Sequence, residues 1–310
     1  MQAATIGESM VAPRCEVIHR TYTTAKDDEA AYRTGNLTPA SEIPPAEAVR
    51  LLDDLTVIVA RACTEIRSIP PVTLVPRMKA DRSPVTAADE ASEVTIMQGL
   101  ARLLPGIPVV SEESAEQSRQ RLDGSFLIVD PLDGTREFLA GRDEFTVNLA
   151  IITRGVPIAG IIAAPKRNQL WRGVVGVKAE WLRLLEDGAD RPQPIQTREW
   201  PRQGAVAAVS RSHFDAATDA FLTSLGSIQR AASGSAIKFC RIAEGAADVY
   251  PRLATTCEWD VAAGHALVVA AGGAVKSPQG LPLAYGRAAE NFRVPAFIAW
   301  GDADKSAVGF

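Results

Sequence analysis

Residues 130–135 read DPLDGT and follow the apolar run SFLIV at 125–129, which is typical of a buried strand. Asp130 and Asp133 stand three positions apart at the end of this predicted strand, so both carboxylates can converge on one cation. The backbone carbonyl of Leu132 offers a further oxygen ligand. Because the motif contains neither histidine nor cysteine, its hard oxygen donors favour Mg²⁺ over zinc or copper. The hexapeptide therefore indicates a magnesium site where a strand ends.

The end of the same motif indicates an anion site. Gly134 permits a tight turn, and Thr135 can begin a helix whose first amides point at a phosphate. One turn could thus hold both the metal and the phosphate. The same letters also fit an ordinary Asp-Pro turn followed by an Asp-Gly turn, so DPLDGT alone leaves both interpretations open.

Further acidic residues stand at the ends of other predicted elements: Asp89 in TAAD, Glu112 and Glu113 in SEES, and Asp260 in WDVAAG. Each has a simple structural explanation, because Asp89 fits a capping box, the glutamates favour a helix start, and Asp260 fits an N-cap. Together with DPLDGT, however, they indicate one shared cleft. Carboxylates held together raise each other's pKa unless cations neutralise them. A bound metal is therefore the simplest explanation of the whole set.

Hydrophobic periodicity predicts most of the secondary structure. The first helix is expected from Pro45 to about Ile66, and the second from its N-cap Thr86 to about Pro105. Later helices are expected in FDAATDAFLTSLG, SAIKFCRIAEGAAD and WDVAAGHALVVAAGG. Strands are expected in IPVV, SFLIV, FTVNLAIITRG, VPIAGIIAAP, NQLWRGVV and AVAAVSRS, with the middle strands forming an antiparallel meander.

The chain is expected to have three parts. Residues 1–44 lack apolar periodicity and end in the proline-rich SEIPP, so we expect a flexible extension. Residues 45–195 are predicted to form an α+β part that binds metal, and residues 196–310 an α/β part that completes the active site. The polar stretch RPQPIQT at 191–197 marks the boundary between them.

Composition excludes several classes of protein. The net charge of −4 and the absence of a Lys/Arg block argue against polymeric nucleic acid as a partner. No apolar run reaches the roughly 18 residues of a membrane span, and no leader is evident, so we expect a soluble cytoplasmic protein. A GxxxxGK[ST] loop is absent, and three scattered histidines offer no catalytic triad. These features leave a soluble intracellular protein whose size permits an enzyme.

The segments PVTAAD, VVSEES, DPLDGT and WDVAAG, in this order, resemble the magnesium-dependent inositol monophosphatase superfamily over about residues 46–300. Within it, DPLDGTREF, EFTVNLA, GSAIKFCRIAEGAADVYPRL and WDVAAGHAL are similar to the 3'(2'),5'-bisphosphate nucleotidase branch of the bacterial CysQ type. The resemblance implies a layered αβαβα sandwich of mixed α+β and α/β character. It also implies removal of the 3'-phosphate of 3'-phosphoadenosine 5'-phosphate to leave AMP, together with inhibition by Li⁺.

The resemblance further implies a set of metal and catalytic residues. Two Mg²⁺ ions would be ligated by Glu112, Asp130, Asp133, Asp260 and the carbonyl of Leu132. Asp89 and Glu112 would help to place a third ion or its water, and Thr135, paired with Asp89, would orient the attacking water. Asp89, Glu112 and Thr135 are therefore the expected catalytic residues.

The expected substrate-binding set adds cations to this centre. Inositol-selective relatives tend to carry an acidic residue where Arg252 falls, whereas a cation there suits a second phosphate. Lys238 offers a second positive charge. Without the resemblance, both could equally be solvated surface charges. The complete predicted set is Glu112, Leu132, Asp133, Gly134, Thr135, Ser235, Lys238, Arg252 and Asp260.

Other functions stay open at this point. One alternative keeps the metal site but acts on inositol monophosphate or another sugar phosphate. A haloacid-dehalogenase-type phosphatase is disfavoured, because its acidic residues stand two apart rather than three. A non-catalytic metal- or nucleotide-binding protein would not need the water-orienting hydroxyl of Thr135. The resemblance also leaves room for a homodimer and for a peripheral position on the cytoplasmic face of the inner membrane.

Overall fold

A computed structural model describes residues 42–73, 76–78, 84–115, 122–211 and 214–307. The described residues all belong to one compact unit, Leu37–Phe310. The predicted extension lies outside them except for residues 42–44. Ile43 is buried, and its backbone bonds to the hydroxyls of Ser125 (2.7 Å) and Thr153 (3.0 Å). The packed fold therefore includes Ile43, two residues before the start that we predicted.

Six α-helices lie within the described residues: α1 Pro45–Ser68, α2 Ala87–Leu103, α3 Thr135–Leu139, α4 Ala216–Ser224, α5 Ile237–Ala243 and α6 Glu258–Ala270. The strands are β1 Arg77–Met78, β2 Pro84–Val85, β3 Val109–Ser111, β4 Ser125–Asp133, β5 Thr146–Thr153, β6 Val156–Ala164, β7 Gln169–Val174, β8 Lys178–Arg183, β9 Gln193–Pro194, β10 Ala205–Ser210, β11 Ile228–Ser233, β12 Val249–Arg252, β13 Thr256–Cys257, β14 Ala274–Lys276, β15 Arg293–Val294 and β16 Phe297–Trp300.

The first sheet has seven strands in sequence order, from β3 to β9. β3 and β4 are parallel, and every later neighbour is antiparallel, which confirms the predicted meander. Side chains of β4 alternate between two cores, because Leu127 faces α1 and α2 while Phe126 and Ile128 face α5 and α6. This strand is buried on both faces and so reads as an unbroken apolar run.

The second sheet has five strands in the order β11-β10-β12-β16-β14. α5 and α6 fill the space between the two sheets, and α4 packs on the outer face of the second sheet. The layers are therefore helix pair, sheet, helix pair, sheet and helix, which confirms the predicted αβαβα sandwich. The chain passes from the first sheet to the second between Pro194 and Ala205. A division into two parts at residue 195 stays a prediction.

The structure differs from the sequence-based expectations in the length of α5 and in several strands outside the predicted set, of which β11 is one example. The helix expected over SAIKFCRIAEGAAD is shorter, because α5 ends at Ala243 and Gly245 follows in the left-handed region (φ +70°). β11 was not predicted. Most of its side chains are exposed at the edge of the sheet, so it lacks the apolar alternation that marks a half-buried strand.

Candidate active site

The pairing of β4 with β5 is irregular at the DPLDGT turn. β4 pairs with β5 at Asp130 and again at Asp133, and the register shifts between them. Gly134 follows in the left-handed region (φ +96°), and α3 begins at Thr135. A Cβ at Gly134 would lie 2.4 Å from the Ser235 hydroxyl, so the turn requires glycine for both conformation and space.

Three aspartates meet beside this turn. Asp130, Asp133 and Asp260 each offer a carboxylate oxygen, and these oxygens lie within 4.8 Å of one another. The Asp260 carboxylate accepts hydrogen bonds from the Cys257 amide (3.0 Å) and from the Thr256 hydroxyl. Asp260 is the third residue of α6, and Cys257 is its N-cap. The interpretation of Asp260 as the N-cap is therefore wrong.

Glu112 comes to the same centre from β3. Its amide donates to the Val129 carbonyl (3.1 Å), which holds it beside the end of β4. Burial raises the pKa of Asp130 well above its usual value, and the charges of Glu112, Asp133 and Asp260 raise it further. Burial and Asp260 likewise raise the pKa of Asp133 to about 7, although Lys238 opposes the shift. Such mutual repulsion is expected of carboxylates that share a cation.

The donor set fits a divalent metal. The Oδ2 atom of Asp130 is buried and has no hydrogen-bond partner among the described residues, so it is available as a ligand. The Leu132 carbonyl also lines the cavity, and the carboxylates around it supply only oxygen donors. These residues suit Mg²⁺, which prefers oxygen ligands, better than zinc or copper.

Asp89 and Thr135 form a hydrogen-bonded pair next to the DPLDGT turn. The Thr135 hydroxyl lies 2.9 Å from Asp89 Oδ1 and 3.3 Å from the Leu132 carbonyl. Asp89 Oδ2 accepts from the Thr86 amide (2.8 Å) and hydroxyl (2.6 Å). The predicted capping box of α2 is therefore present, and the same carboxylate also reaches the active-site threonine. Burial raises the pKa of Asp89, and its hydrogen bonds partly offset that effect.

A cavity of about 340 Å³ opens onto this centre. Ten of the eleven predicted site residues line it, and Asp89 reaches it through Thr135. The ten are Glu112, Asp130, Leu132, Asp133, Gly134, Thr135, Ser235, Lys238, Arg252 and Asp260. The roles that we assigned to them stay predictions, but their convergence is a property of the fold.

Lys238 and Arg252 face the cavity rather than bulk solvent. Lys238 on α5 is only 4% exposed, and its ammonium group donates to the Ser235 carbonyl (2.5 Å) and lies 5.2 Å from the centre of the Tyr250 ring. Burial lowers its pKa to about 8, and Arg252 adds to the shift while Asp133 opposes it. Arg252 Nε is buried without a partner among the described residues. The interpretation of Lys238 as a solvated surface charge is therefore wrong.

Several residues of the cavity wall were not predicted from the sequence. Arg136 directly follows DPLDGT, and its position next to the motif was a usable signal. Trp259 precedes Asp260 and packs near Phe292, with ring centres 6.1 Å apart. Arg293 had no local signal, because it reaches the wall only through the pairing of β15 with β13.

A sequence model of the inositol monophosphatase family matches residues 56–296. The chain belongs to the inositol monophosphatase family. Its layered fold is shared with solved structures of that family. In the described residues, no helix is both long and apolar enough to cross a membrane.

Proteins similar to this chain include bacterial 3'(2'),5'-bisphosphate nucleotidases. The chain is 46% identical over 224 residues to the 3'(2'),5'-bisphosphate nucleotidase CysQ of Escherichia coli O6:H1 strain CFT073, covering 71% of this chain and 86% of the relative. The CysQ nucleotidase of Buchnera aphidicola is 39% identical, covering 67% and 76%. The crystal structure of CysQ from Bacteroides thetaiotaomicron matches with a TM-score of 0.67 at 34% identity, over 84% of this chain and 97% of that one.

Proposed function

We infer that this chain is a metal-dependent 3'(2'),5'-bisphosphate nucleotidase that removes the 3'-phosphate of 3'-phosphoadenosine 5'-phosphate to leave AMP. The observation that carries the inference is the cavity that the Asp130, Asp133 and Asp260 carboxylates line together with two cations, the buried Lys238 and the partly buried Arg252. The identity to CysQ nucleotidases supports the same substrate class.

The proposed centre holds two Mg²⁺ ions, with Glu112, Asp130, Asp133, Asp260 and the Leu132 carbonyl as ligands. Asp89 and Glu112 would help to place a third ion or its water. When bound, the metal would neutralise the carboxylates and make a water molecule more acidic and nucleophilic. Without it, the repulsion that raises the pKa values of Asp130 and Asp133 is unrelieved.

Thr135 is placed to orient the attacking water. Its hydroxyl hydrogen is donated to Asp89 Oδ1 (2.9 Å), which leaves the oxygen lone pairs free to accept a hydrogen bond from that water. The water oxygen attacks phosphorus as the bond from phosphorus to the 3'-oxygen breaks, and the 3'-oxygen takes a proton. The amides of Gly134 and Thr135 would bind the phosphate oxygens.

Lys238 and Arg252 would bind the phosphate that is not cleaved. Arg252 has an unpartnered buried Nε, and a phosphate oxygen would satisfy it, whereas a neutral polyol would supply no charge there. This difference favours a bisphosphate over an inositol monophosphate. A cytoplasmic location, a peripheral position at the inner membrane and a homodimer stay predictions.

The decisive measurement is phosphate release by the purified protein with Mg²⁺. We expect 3'-phosphoadenosine 5'-phosphate to exceed inositol 1-phosphate in kcat/KM by at least about 100-fold, because only the bisphosphate places a second phosphate at Lys238 and Arg252. Fructose 1,6-bisphosphate, whose two phosphates are spaced differently, should also be a poorer substrate. EDTA should abolish the release, and Li⁺ should inhibit it. A preference for inositol 1-phosphate would discard the nucleotidase assignment.

The metal assignment is tested separately by Asp133→Asn and Asp260→Asn. Each change removes one ligand charge at nearly constant volume, so we expect turnover to fall by at least about 1,000-fold while the protein still folds. Circular dichroism and a thermal melt would verify that the fold is intact. Normal turnover in either variant would contradict the ligand set.

A further inference from the structure

Glu144 is a buried carboxylate outside the catalytic set. It precedes β5 and is 7% exposed, yet it is fully partnered. Its two oxygens accept from Arg211 Nε and Nη2 (both 2.9 Å) and from the backbone amide of Gly234 (3.0 Å). Arg167 Nη2 lies 3.4 Å away. Burying a carboxylate costs free energy unless hydrogen-bond donors and opposite charges offset it, as they do here. Loss of one partner would leave the remaining charge uncompensated, so these contacts hold together the segments that they join.

The segment that Glu144 holds is the turn between β11 and α5. Arg211 follows β10, so the bridge from Glu144 to Arg211 and Gly234 connects the first sheet to the second. Although burial acts to raise the pKa of Glu144, the hydrogen bonds and charge of Arg211 hold it below its usual value. The carboxylate is therefore ionised when the bridge is formed.

The same turn is packed directly against the catalytic loop. A Cβ at Gly234 would lie 2.7 Å from the Glu144 carbonyl, which shows how closely the two backbones approach. The Ser235 hydroxyl lies 2.8 Å from the Asp133 carbonyl and 2.9 Å from the Glu144 carbonyl. Ser235 itself has φ +50°, a conformation that L residues rarely adopt and that its surroundings must maintain.

Ser235 in turn positions Lys238. The Lys238 ammonium donates to the Ser235 carbonyl (2.5 Å) and approaches the Ser233 carbonyl (3.4 Å), so its location depends on the shape of the turn. If the turn relaxed from its left-handed conformation, that carbonyl would rotate and the ammonium would lose its anchor. A contact chain therefore runs from Glu144 through Gly234 and Ser235 to Lys238.

We propose that Glu144, bridged to Arg211, is a positioning residue that fixes the Gly234–Ser235 turn and thereby the substrate-binding group Lys238. This assignment rests on the proposed function only in naming the ligand of Lys238 as the uncleaved phosphate. The turn contacts Asp133 through its backbone carbonyl rather than its carboxylate, and Asp260 has its own support in the Cys257 amide. Loosening the turn should therefore weaken substrate binding more than it slows the chemical step.

The chain supplies a matched control in Asp143. It is the neighbour of Glu144, carries the same charge and pairs with Arg167 Nε (3.0 Å), and its side chain is half exposed. Asp143→Asn and Glu144→Gln therefore remove the same charge one residue apart, and only the second change alters the bridge to Arg211 and Gly234. Arg211→Gln removes the other partner of that bridge. Because the Arg211 side chain is partly exposed, this change should destabilise the fold less than a change at the buried Glu144.

The experiment compares kcat and KM for wild type, Asp143→Asn, Glu144→Gln and Arg211→Gln, using 3'-phosphoadenosine 5'-phosphate and the best monophosphate ester. For the bisphosphate we expect Glu144→Gln and Arg211→Gln to raise KM at least five-fold with kcat within about three-fold. Asp143→Asn should match wild type. A variant that was merely destabilised would lose active enzyme, which lowers kcat and leaves KM unchanged.

Two results would overturn the proposal. One is a KM for Glu144→Gln and Arg211→Gln equal to that of Asp143→Asn, and the other is a loss confined to kcat. Should Glu144→Gln fail to fold, Arg211→Gln alone decides. Failure of the proposed function looks different, because wild type would then prefer another ester. The variants would then be compared on that ester, for which the same rise in KM is expected.

Discussion

Thr135 donates its hydroxyl hydrogen to Asp89, a residue 46 positions earlier in the sequence, across 2.9 Å. Asp89 is 1% exposed and also closes the capping box of α2 with Thr86. One carboxylate therefore holds a helix terminus and an active-site hydroxyl at the same time. Asp89 is buried, whereas Thr135 is partly exposed at the cavity, so a change of the Thr135 hydroxyl should affect catalysis more than stability.

Thr135→Val should lower kcat by about 100-fold or more, because valine keeps the shape of threonine but cannot orient a water. Thr135→Ser keeps the hydroxyl and should stay within about ten-fold of wild type. Both variants should unfold within a few degrees of wild type, since one hydrogen bond contributes only about 1 kcal/mol. Steady-state kinetics and a thermal melt provide the measurement. Equal kcat values for the valine and serine variants would argue against a role for the hydroxyl.

Lys238 predicts a pH dependence of substrate binding. Its pKa is lowered to about 8, first by burial and then by Arg252, so the ammonium loses its proton as the pH rises above 8. The positive charge is present below that pH and is lost above it. KM for the bisphosphate should therefore rise between pH 8 and pH 10. In Lys238→Arg, whose charge persists, KM should stay flat over this interval even if it is higher throughout.

At the scale of elements, α6 holds the centre of the molecule together. It packs between the sheets so closely that a Cβ at Gly160 on β6 would lie 2.3 Å from the Ala263 carbonyl. On another side, Gly264 of α6 meets the ring of Phe239 on α5. Asp260 is on the first turn of the same helix, so the position of a metal ligand depends on this packing.

Gly264→Ala should therefore destabilise the protein. The added methyl would lie 2.2 Å from the Phe239 ring, and overpacking of this kind costs about 1–3 kcal/mol. Gly188→Ala is the matched control, because nothing lies within 4 Å of its Cβ position and its effect should be below about 0.5 kcal/mol. Chemical denaturation would measure both. Equal stability of the two variants would show that α5 and α6 separate at little cost.

At the scale of the whole molecule, the carboxylate centre joins the two sheet layers. Glu112, Asp130 and Asp133 come from the first sheet and its loops, whereas Asp260 comes from the helix layer between the sheets. Repulsion among these groups acts against the compact state when no cation is bound. Stability of the fold and occupancy of the site should therefore be coupled.

The stability of the metal-free protein should fall as the pH rises from about 4 to about 7. In that interval unfolded Asp133, with its ordinary pKa of 3.8, has released its proton, whereas folded Asp133 retains it up to a pKa of about 7. The folded state then binds more protons, so the free energy of unfolding decreases with pH. Mg²⁺ requires the ionised carboxylates and should raise the melting temperature more at pH 8 than at pH 5.

Melting curves in EDTA and in Mg²⁺ between pH 5 and pH 8 would measure this coupling. Asp133→Asn cannot titrate at this position, so its metal-free stability should vary less over the same interval. If Mg²⁺ raised the melting temperature of wild type equally at every pH, the carboxylates would not be its ligands. A pH-independent melting temperature in EDTA would show that the repulsion is relieved in another way.

The sequence by itself determined the local parts of this protein. The DPLDGT motif includes the end of β4, the left-handed glycine and the start of α3. Each of these features depends on neighbours within a few residues. The same holds for the Thr86 capping box and for the apolar runs that became β4 to β7. The layered arrangement of these elements was expected from the family resemblance and not from the spacing of the residues alone.

Only the tertiary structure decided which distant side chains meet. Arg293 reaches the cavity through strand pairing with Cys257, and Glu144 bridges to Gly234 across 90 residues. None of these contacts leaves a pattern in the local sequence, because a buried polar side chain is stabilised by whichever donor the packed layers bring to it. The turn chemistry is local, whereas the network that holds it in place arises from the packing of two sheets around α5 and α6.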